Sequence, residues 1–547
     1  MDVDRLKRPT REDGPDLSEH ALDRRALHDY VIDAPMDALV SSAAAAAPDT
    51  LAIRIGGEHV TYRELDEAVE QAAAALADRL DGPGRTIGVT TALNPRFAAA
   101  FYATARSGNT VVMVNSLQPP PVLQHVLATA RISLLFADAR LLPKLTRLAV
   151  PDSLETIVTL ADEEPVELSG VPVAWSTWSK FVADAPRSRA TPGVDPDSAG
   201  CVHFTSGTTG QPKAVVLSHR NLTAGAAQVA IAHRLTQGAV ILNHMPAFHV
   251  MHLNAVTTAR ATHVMCPDPD VTAGVALSNE VRAVRYYSIP MRLTQLAADP
   301  RLPGLRLETA QAILSGGTTL PPTAAARLAS VFNVPVVQGY GSAESASMSH
   351  CDVLHRPKIG SVGLPAAGCE ARLGDIETGG PVPQGAIGEV LVRGPQIYRG
   401  YFGGGAAADV DAAGWLHTGD VGRLDEDGYL FLTDRIKDVF KCDHELVSPS
   451  RLEHLALAHP DVAECVVVDV PDPVRGAVPF LVAVLKSGVA PERLTEVVAH
   501  VNAQTASYEQ IAHAEAVASI PRSATGKVQR REVRDLVRER LGGEAAA

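Results

Sequence analysis

The chain lacks most of the features that mark specialised protein classes. Its six cysteines, Cys201, Cys266, Cys351, Cys369, Cys442 and Cys465, lie far apart with no C-x-x-C pair, so neither a zinc site nor a disulfide framework is supported. A reducing, cytoplasmic setting is therefore expected. No stretch approaches the roughly 20 apolar residues that a membrane span requires. Met1 is followed by Asp2, Asp4, Arg5 and Lys7 instead of an apolar core, so neither a signal peptide nor a membrane partner is expected. Positive charge is also scarce: 49 lysines and arginines against 62 acidic residues leave a net charge of −13, which argues against nucleic acid, whose binding needs a basic face. The G-x-S-x-G of serine hydrolases is absent. So is the G-x-x-x-x-G-K-[ST] loop of ordinary phosphate-loop NTPases.

What is present is an ordinary globular composition spread over 547 residues, too many for one core, so two or more domains are expected. Residues 1–30 mix charges of both signs with prolines and read as an arm that is mobile or docked on the surface. From Ala52 onward strands alternate with helices. Thr61-Tyr-Arg-Glu64 has the spacing of a capping box and starts a helix that runs to Leu80. Ile87–Thr91, Thr110–Val114 and Ile132–Phe136 read as buried strands separated by helices over Pro95–Arg106 and around Val122–Ala130. Such alternation implies parallel sheet covered on both faces. The alanine runs at Ala43–Ala47 and Ala72–Ala75 suit closely packed helices.

The most informative stretch is His203-Phe-Thr-Ser-Gly-Thr-Thr-Gly-Gln-Pro-Lys213, entered by an apolar run and left by Ala214-Val-Val-Leu217. It reads as an anion-binding loop between two strands. Gly207 and Gly210 let successive N–H groups converge on an anion, Thr205, Ser206, Thr208 and Thr209 add hydroxyls, and Lys213 adds a positive charge.

T-S-G-T-T-G-x-P-K followed by L-S-H-x-N-L resembles the nucleotide loop of the AMP-forming adenylating superfamily, which includes acyl- and aryl-CoA synthetases, peptide-synthetase adenylation domains and firefly luciferase. The resemblance covers about residues 30–540 through six ordered segments. It implies an α/β fold in which a large N-terminal domain (31–434) of parallel-type sheets, helices and a β subdomain is followed by a small, mobile C-terminal α+β domain (435–547). ATP and Mg2+ are the implied cofactors, and a small acid and a nucleophilic acceptor the implied partners.

Each segment carries an implied role. In Pro246-Ala-Phe-His249, His249 would edge the reacting carboxylate, and Met251 and His252 would line the acid pocket. The three histidines at 244, 249 and 252 could by themselves suggest a metal, but no carboxylate or cysteine accompanies them. Gly316 and Gly317 would let backbone approach the purine. In Gly339-Tyr-Gly341, Tyr340 would stack on it, and Glu344 would hold Mg2+. The residue before that glutamate is commonly threonine in the family and is Ala343 here, which removes a hydroxyl donor to the α-phosphate. The resemblance assigns Asp420 to the ribose hydroxyls, Arg435 to ribose and phosphate, Lys437 to the hinge, and Lys527, in Pro521-Arg-Ser-Ala-Thr-Gly-Lys527, to catalysis of adenylate formation.

Two departures bear on the acceptor. After the hinge lysines the CoA ligases resemble one another in a glycine that helps to line the pantetheine tunnel, and here His444 stands in its place. His252 occupies a pocket position that is often glycine or serine in relatives. Two readings stay open: an acyl- or aryl-CoA synthetase with CoA as acceptor, or an enzyme with a non-CoA acceptor such as an amine. The ATP-dependent diazotases, which adenylate nitrite for attack by an aryl amine, are a branch of the second kind.

Overall fold

The computed structural model describes residues 27, 30, 33–80, 82–163, 168, 171–183, 193–205, 212–247, 249–376, 378–407, 409–522 and 528–544. The expected α/β architecture is present. Two nine-stranded sheets form the large N-terminal part. One has a parallel centre of Leu51–Ile55, Thr262–Met265, Val240–His244, Arg285–Ser288, Ile313–Gly316 and Val336–Tyr340, with antiparallel strands at both edges. The other joins the parallel strands Thr86–Thr90, Thr110–Val114, Leu134–Ala137, Thr156–Thr159 and Ala174–Thr177 to the antiparallel pair Ala199–Thr205 and Lys213–Ser218. The central parallel strands of both sheets, such as Val240–His244 and Thr110–Val114, are buried along nearly their whole length, as sheets covered on both faces require.

Local signals behave as their chemistry dictates. Thr61 caps the helix Tyr62–Arg79 in a reciprocal capping box with Glu64, and Asn94 caps Pro95–Arg106. Both helices pass between the sheets, and alanine lets them do so: Ala72 to Ala75 and Ala98 to Ala100 are buried, with no long side chain to hold neighbouring backbones apart. Arg106 ends its helix in the interior, where Asp37, Asp66 and Glu70 surround its guanidinium. The buried charge is tolerated because every face of the fork meets an acceptor.

A four-stranded antiparallel sheet, Glu370–Gly374, Ile387–Arg393, Leu416–Leu424 and Leu430–Arg435, forms the β subdomain. Gly363 joins it to the large sheets by bridging to Leu430. Its φ is +84°, and a Cβ there would stand 2.0 Å from the Cys351 carbonyl oxygen, so no other residue fits. Beyond the turn that follows Arg435, a separate core gathers around Leu452, Val467, Leu481 and Val497. It combines a five-stranded sheet with the helices Pro449–Leu457, Leu494–Asn502 and Arg530–Glu544. Of the proposed N-terminal arm only Leu27 and Tyr30 are described; Leu27 is buried against Ala227 and Ala367. Among the described residues no helix is long and apolar enough to cross a membrane.

Candidate active site

A cavity of about 710 Å³ opens at the carboxyl ends of the strands Ile313–Gly316 and Val336–Tyr340, the position at which open α/β sheets bind ligands. Its wall unites Thr205 and Lys213 from the hairpin, Gly316 and Gly317, Gly341 and Glu344, and Arg435. These seven sequence-selected residues meet although they lie up to 230 positions apart. The hairpin sets the first two opposite one another, since Thr205 and Lys213 are Cα partners in the antiparallel register. Ser206, Gly207, Thr208 and Thr209, between them, lie outside the described residues, as does Lys527.

Lys213 is held by two residues that sequence reasoning missed. Its Nζ lies 4.9 Å from the Tyr401 ring centroid and 3.5 Å from the Tyr401 hydroxyl. That hydroxyl donates to Asp409 Oδ2 at 2.7 Å. Burial and the hydrogen-bonded carboxylate push the Tyr401 phenol upward, so it keeps its proton and faces the lysine with lone pairs. No local motif announced this: Tyr401 is 188 residues from Lys213 and reaches it because Gly400–Tyr401 adds a strand beside Lys213–Ser218.

Asp420 stands one layer behind the wall. Tyr340 Oη donates to its Oδ2 at 2.7 Å, and Arg435 Nε contacts its Oδ1 at 2.8 Å. Each carboxylate oxygen keeps a further lone pair, so the group can still accept from a ligand hydroxyl. Gly339 and Tyr340 are likewise off the cavity wall, and the tyrosine is half-buried. The strand that carries Asp420 is braced by Glu389, another residue without a sequence signal. Its Oε1 accepts from Gly419 N at 3.1 Å and its Oε2 pairs with His417 Nδ1 at 2.8 Å.

The hydroxyl lost at Ala343 has neighbours of the same chemistry, because Ser342 and Thr318 line the same wall. Glu344 also faces the cavity, with Asp409 on the same wall. No cluster of three or more metal-binding side chains occurs among the described residues. One or two carboxylates fit a Mg2+ that takes its remaining oxygens from phosphate and water, and would not fit a metal caged wholly by protein.

The three residues expected to edge or line an acid pocket, His249, Met251 and His252, are off this wall, and the rings of His249 and His252 have centroids 5.6 Å apart. His249 is the N-cap residue of the helix Val250–Thr258 and keeps an exposed edge, yet the protein around it favours the neutral ring. Burial, then the nearby His249, lowers His203 to about 4. His252 bonds through Nδ1 to Asn243 Oδ1 at 2.8 Å, and its ring centroid lies 4.4 Å from that of Tyr287. Met251 is half-buried against the main core.

Lys437 lies exposed in the turn between the last strand of the β subdomain and the C-terminal core. The turn is anchored by Ile436 N donating to Gly419 O at 2.9 Å, and Asp434 just before it accepts from Ser448 and Ser450 of the C-terminal part. His444 is exposed at the tip of the hairpin Phe440–Cys442 and Glu445–Val447, with φ +68° beside Asp443 at +53°. Two positive φ values are the signature of a turn that favours Asp-Gly. His444 thus occupies a glycine-type conformation and does not reach the cavity wall.

A family model described as AMP-binding enzyme matches residues 40–402, and one described as AMP-binding enzyme C-terminal domain matches residues 451–527. The chain is 30% identical over 534 residues to 4-coumarate–CoA ligase 2 of Oryza sativa subsp. japonica, covering 91% of this chain and 92% of that protein. It is 31% identical to the indoleacetate–CoA ligase of Aromatoleum aromaticum, covering 90% and 96%. In structure it resembles the anthranilate CoA ligase AuaEII in complex with anthranoyl-AMP, with a TM-score of 0.83 at 21% identity over 94% of this chain and 99% of the other. It also resembles the amide bond synthetase McbA of Marinactinospora thermotolerans, with a TM-score of 0.79 at 25% identity over 92% and 100%.

Proposed function

The chain belongs to the AMP-binding enzyme family and is an AMP-forming ligase, and from that premise we propose that it activates a small carboxylic acid with ATP and passes the acyl group to CoA. The observation that carries this reading is the convergence of Lys213, Glu344 and Arg435 on one cavity with backbone-exposing glycines. A carboxylate oxygen attacks the α-phosphorus, the bond to pyrophosphate breaks, and an acyl adenylate remains. No side chain has to form a covalent bond. The work is positioning and charge stabilisation.

In this proposal Lys213, steadied by Tyr401, faces the phosphates, and the hydroxyls of Thr205, Ser342 and Thr318 supply donors beside it, with Ser206 to Thr209 completing the loop. Arg435 and Asp420 hold the ribose, Tyr340 and the 316–317 backbone the purine, and His249 the edge of the carboxylate. Mg2+ on Glu344 would neutralise charge shared between phosphate oxygens. Lys527 completes the charge balance in the first half-reaction, and rotation about Lys437 withdraws it for the second.

A second reading keeps the adenylation and changes the acceptor to an amine. The specific observation is the imidazole at 444, where a glycine would leave the hairpin bare, and the similarity to an amide bond synthetase accords with it. A diazotase, with nitrite as the acid, is the extreme form of this reading. One assay separates the readings: pyrophosphate and AMP release from ATP with a panel of carboxylic acids and nitrite, with and without CoA or an aryl amine. Saturable, CoA-dependent thioester formation supports the first reading, and amine-dependent AMP release unaffected by CoA supports the second. No pyrophosphate release with any acid would overturn both.

A further inference from the structure

The junction between the two parts of the chain is held from both sides at once. Arg435 and Ile436 are tied to the β subdomain: Arg435 Nε meets Asp420 Oδ1 at 2.8 Å, and Ile436 N donates to Gly419 O at 2.9 Å. Asp438, just beyond the exposed Lys437, is tied to the C-terminal part, where Arg530 and Arg534 of the last helix approach its carboxylate at 3.9 and 3.8 Å. Asp434 breaks this order. It lies in the strand Leu430–Arg435, paired with Val421 of the β subdomain, yet its carboxylate reaches across the junction.

Three donors of the C-terminal part meet that carboxylate. Ser448 Oγ donates to Oδ2 at 2.6 Å, Ser450 N to the same oxygen at 2.9 Å, and Ser450 Oγ to Oδ1 at 2.8 Å. Ser448 is the N-cap of the helix Pro449–Leu457, whose first residue, a proline, has no N–H to offer. The first N–H of that helix is therefore the one on Ser450, which has no acceptor within the helix. Asp434 supplies it, and sets a negative charge at the positive end of the helix dipole. Hydrogen bonds to an ionised carboxylate are the strong kind. Burial raises the Asp434 carboxyl, and the serine donors, then Arg530, oppose that shift.

Ser448 and Ser450 follow Lys437 in the chain and Asp434 precedes it, so a rotation about Lys437 carries the donors away from the carboxylate. The contacts of Asp438 travel with the C-terminal part, and those of Arg435 stay with the β subdomain. Only the Asp434 bonds must break. Resting on the rotation about Lys437 proposed above, we propose that Asp434 is a catch: it holds the domain arrangement seen here by capping the helix Pro449–Leu457 across the junction, and its release sets how readily the C-terminal part turns.

Two measurements test the catch. Trypsin cleavage after Lys437, followed by the masses of the intact fragments, reports opening of the junction without any substrate, because cleavage of a locally opened segment tracks the population of the open form. Asp434→Ala should speed that cleavage by about 10-fold, the loss expected for hydrogen bonds to a charged group. Ser450→Ala, which keeps the bonds from Ser448 Oγ and Ser450 N, should speed it less, and the double variant should be cut no faster than Asp434→Ala alone. In the second measurement, pyrophosphate exchange and transfer from a supplied acyl adenylate should change by different factors in Asp434→Ala. One should gain as the populations shift while the other falls or stands still, whereas a merely loosened fold would lower both alike. Unchanged cleavage in both variants would overturn the catch. Faster cleavage with an equal change in both half-reactions would overturn its part in turnover. No pyrophosphate release from any acid in the wild-type protein would instead remove the acid-activating function, and cleavage would still decide whether Asp434 holds the junction. Should Asp434→Ala fail to fold, Ser450→Ala supplies the same comparison at smaller amplitude.

Discussion

Mild acid should unfold the N-terminal part of this protein, and the reason is its inventory of sealed histidines. His219, His233, His263 and His350 are all at most 5% exposed. Burial lowers His219 to about 4 and the other three to about 3. In an unfolded chain each returns to about 6.5. The unfolded state therefore binds more protons below pH 6.5, and stability present above that pH is lost as pH falls toward the folded values. Buried carboxyls oppose the trend: desolvation raises Asp352 to about 7 and also raises Asp37 and Asp434, so the folded state takes up protons there as pH falls. For those four histidines and Asp352 the balance near pH 5 is about three protons in favour of the unfolded chain. Integrated from pH 6.5 to 5, that is a loss of about 5 kcal/mol, a large share of the 5–15 kcal/mol typical of a folded protein. All three tryptophans, Trp175, Trp178 and Trp415, precede Arg435, so urea unfolding followed by tryptophan fluorescence reports this part of the chain. The midpoint should fall steeply between pH 7.5 and 5. His350→Gln, which cannot ionise there, should flatten the slope by about 1.4 kcal/mol per pH unit. A stability that changes by less than about 1 kcal/mol over that range would refute the argument.

Four further outcomes are expected. Lys527→Ala should slow adenylate formation by several orders of magnitude in a pyrophosphate-exchange assay while sparing transfer from a supplied acyl adenylate; equal loss in both steps would contradict a lysine that acts in only one of two domain arrangements. Asp420→Ala should raise the KM for ATP by the equivalent of roughly 1–3 kcal/mol, and Tyr340→Phe, which removes the 2.7 Å hydrogen bond to that carboxylate, should have a smaller effect of the same sign. Gly363→Ala adds a Cβ 2.0 Å from a backbone oxygen at positive φ, so soluble yield or melting temperature should collapse, and an unchanged melting curve would mean that this junction yields easily. His444→Gly should stabilise the C-terminal part by about 0.5–1 kcal/mol, because glycine tolerates the left-handed turn at a partly offsetting cost in chain entropy. If that substitution also speeds CoA-dependent turnover, the imidazole obstructs the acceptor path.

Elements governed by neighbours in the chain were legible without coordinates. The Thr61–Glu64 capping box, the alanine helices, the hairpin around the anion-binding loop and the strand-to-glycine segments ending at Gly316 and Gly341 each follow from interactions within a few residues, so spacing alone reveals them. The order of the segments also pointed to a nucleotide cavity at the strand ends, since loops leaving parallel strands must emerge on one side. Tertiary structure alone decided which side chains stand behind those segments. Tyr401 and Asp409 steady Lys213, Glu389 braces the strand just before Asp420, and Tyr340 spends its hydroxyl on Asp420. His252 meets Asn243 of the strand Val240–His244 at 2.8 Å and lies against the Tyr287 ring. Such contacts depend on sheet order and on how helices cross strands, and long-range packing sets these without leaving a periodic trace in sequence. The charge states of the histidines belong to the same class, because a ring's neutrality is decided by how much water its surroundings exclude.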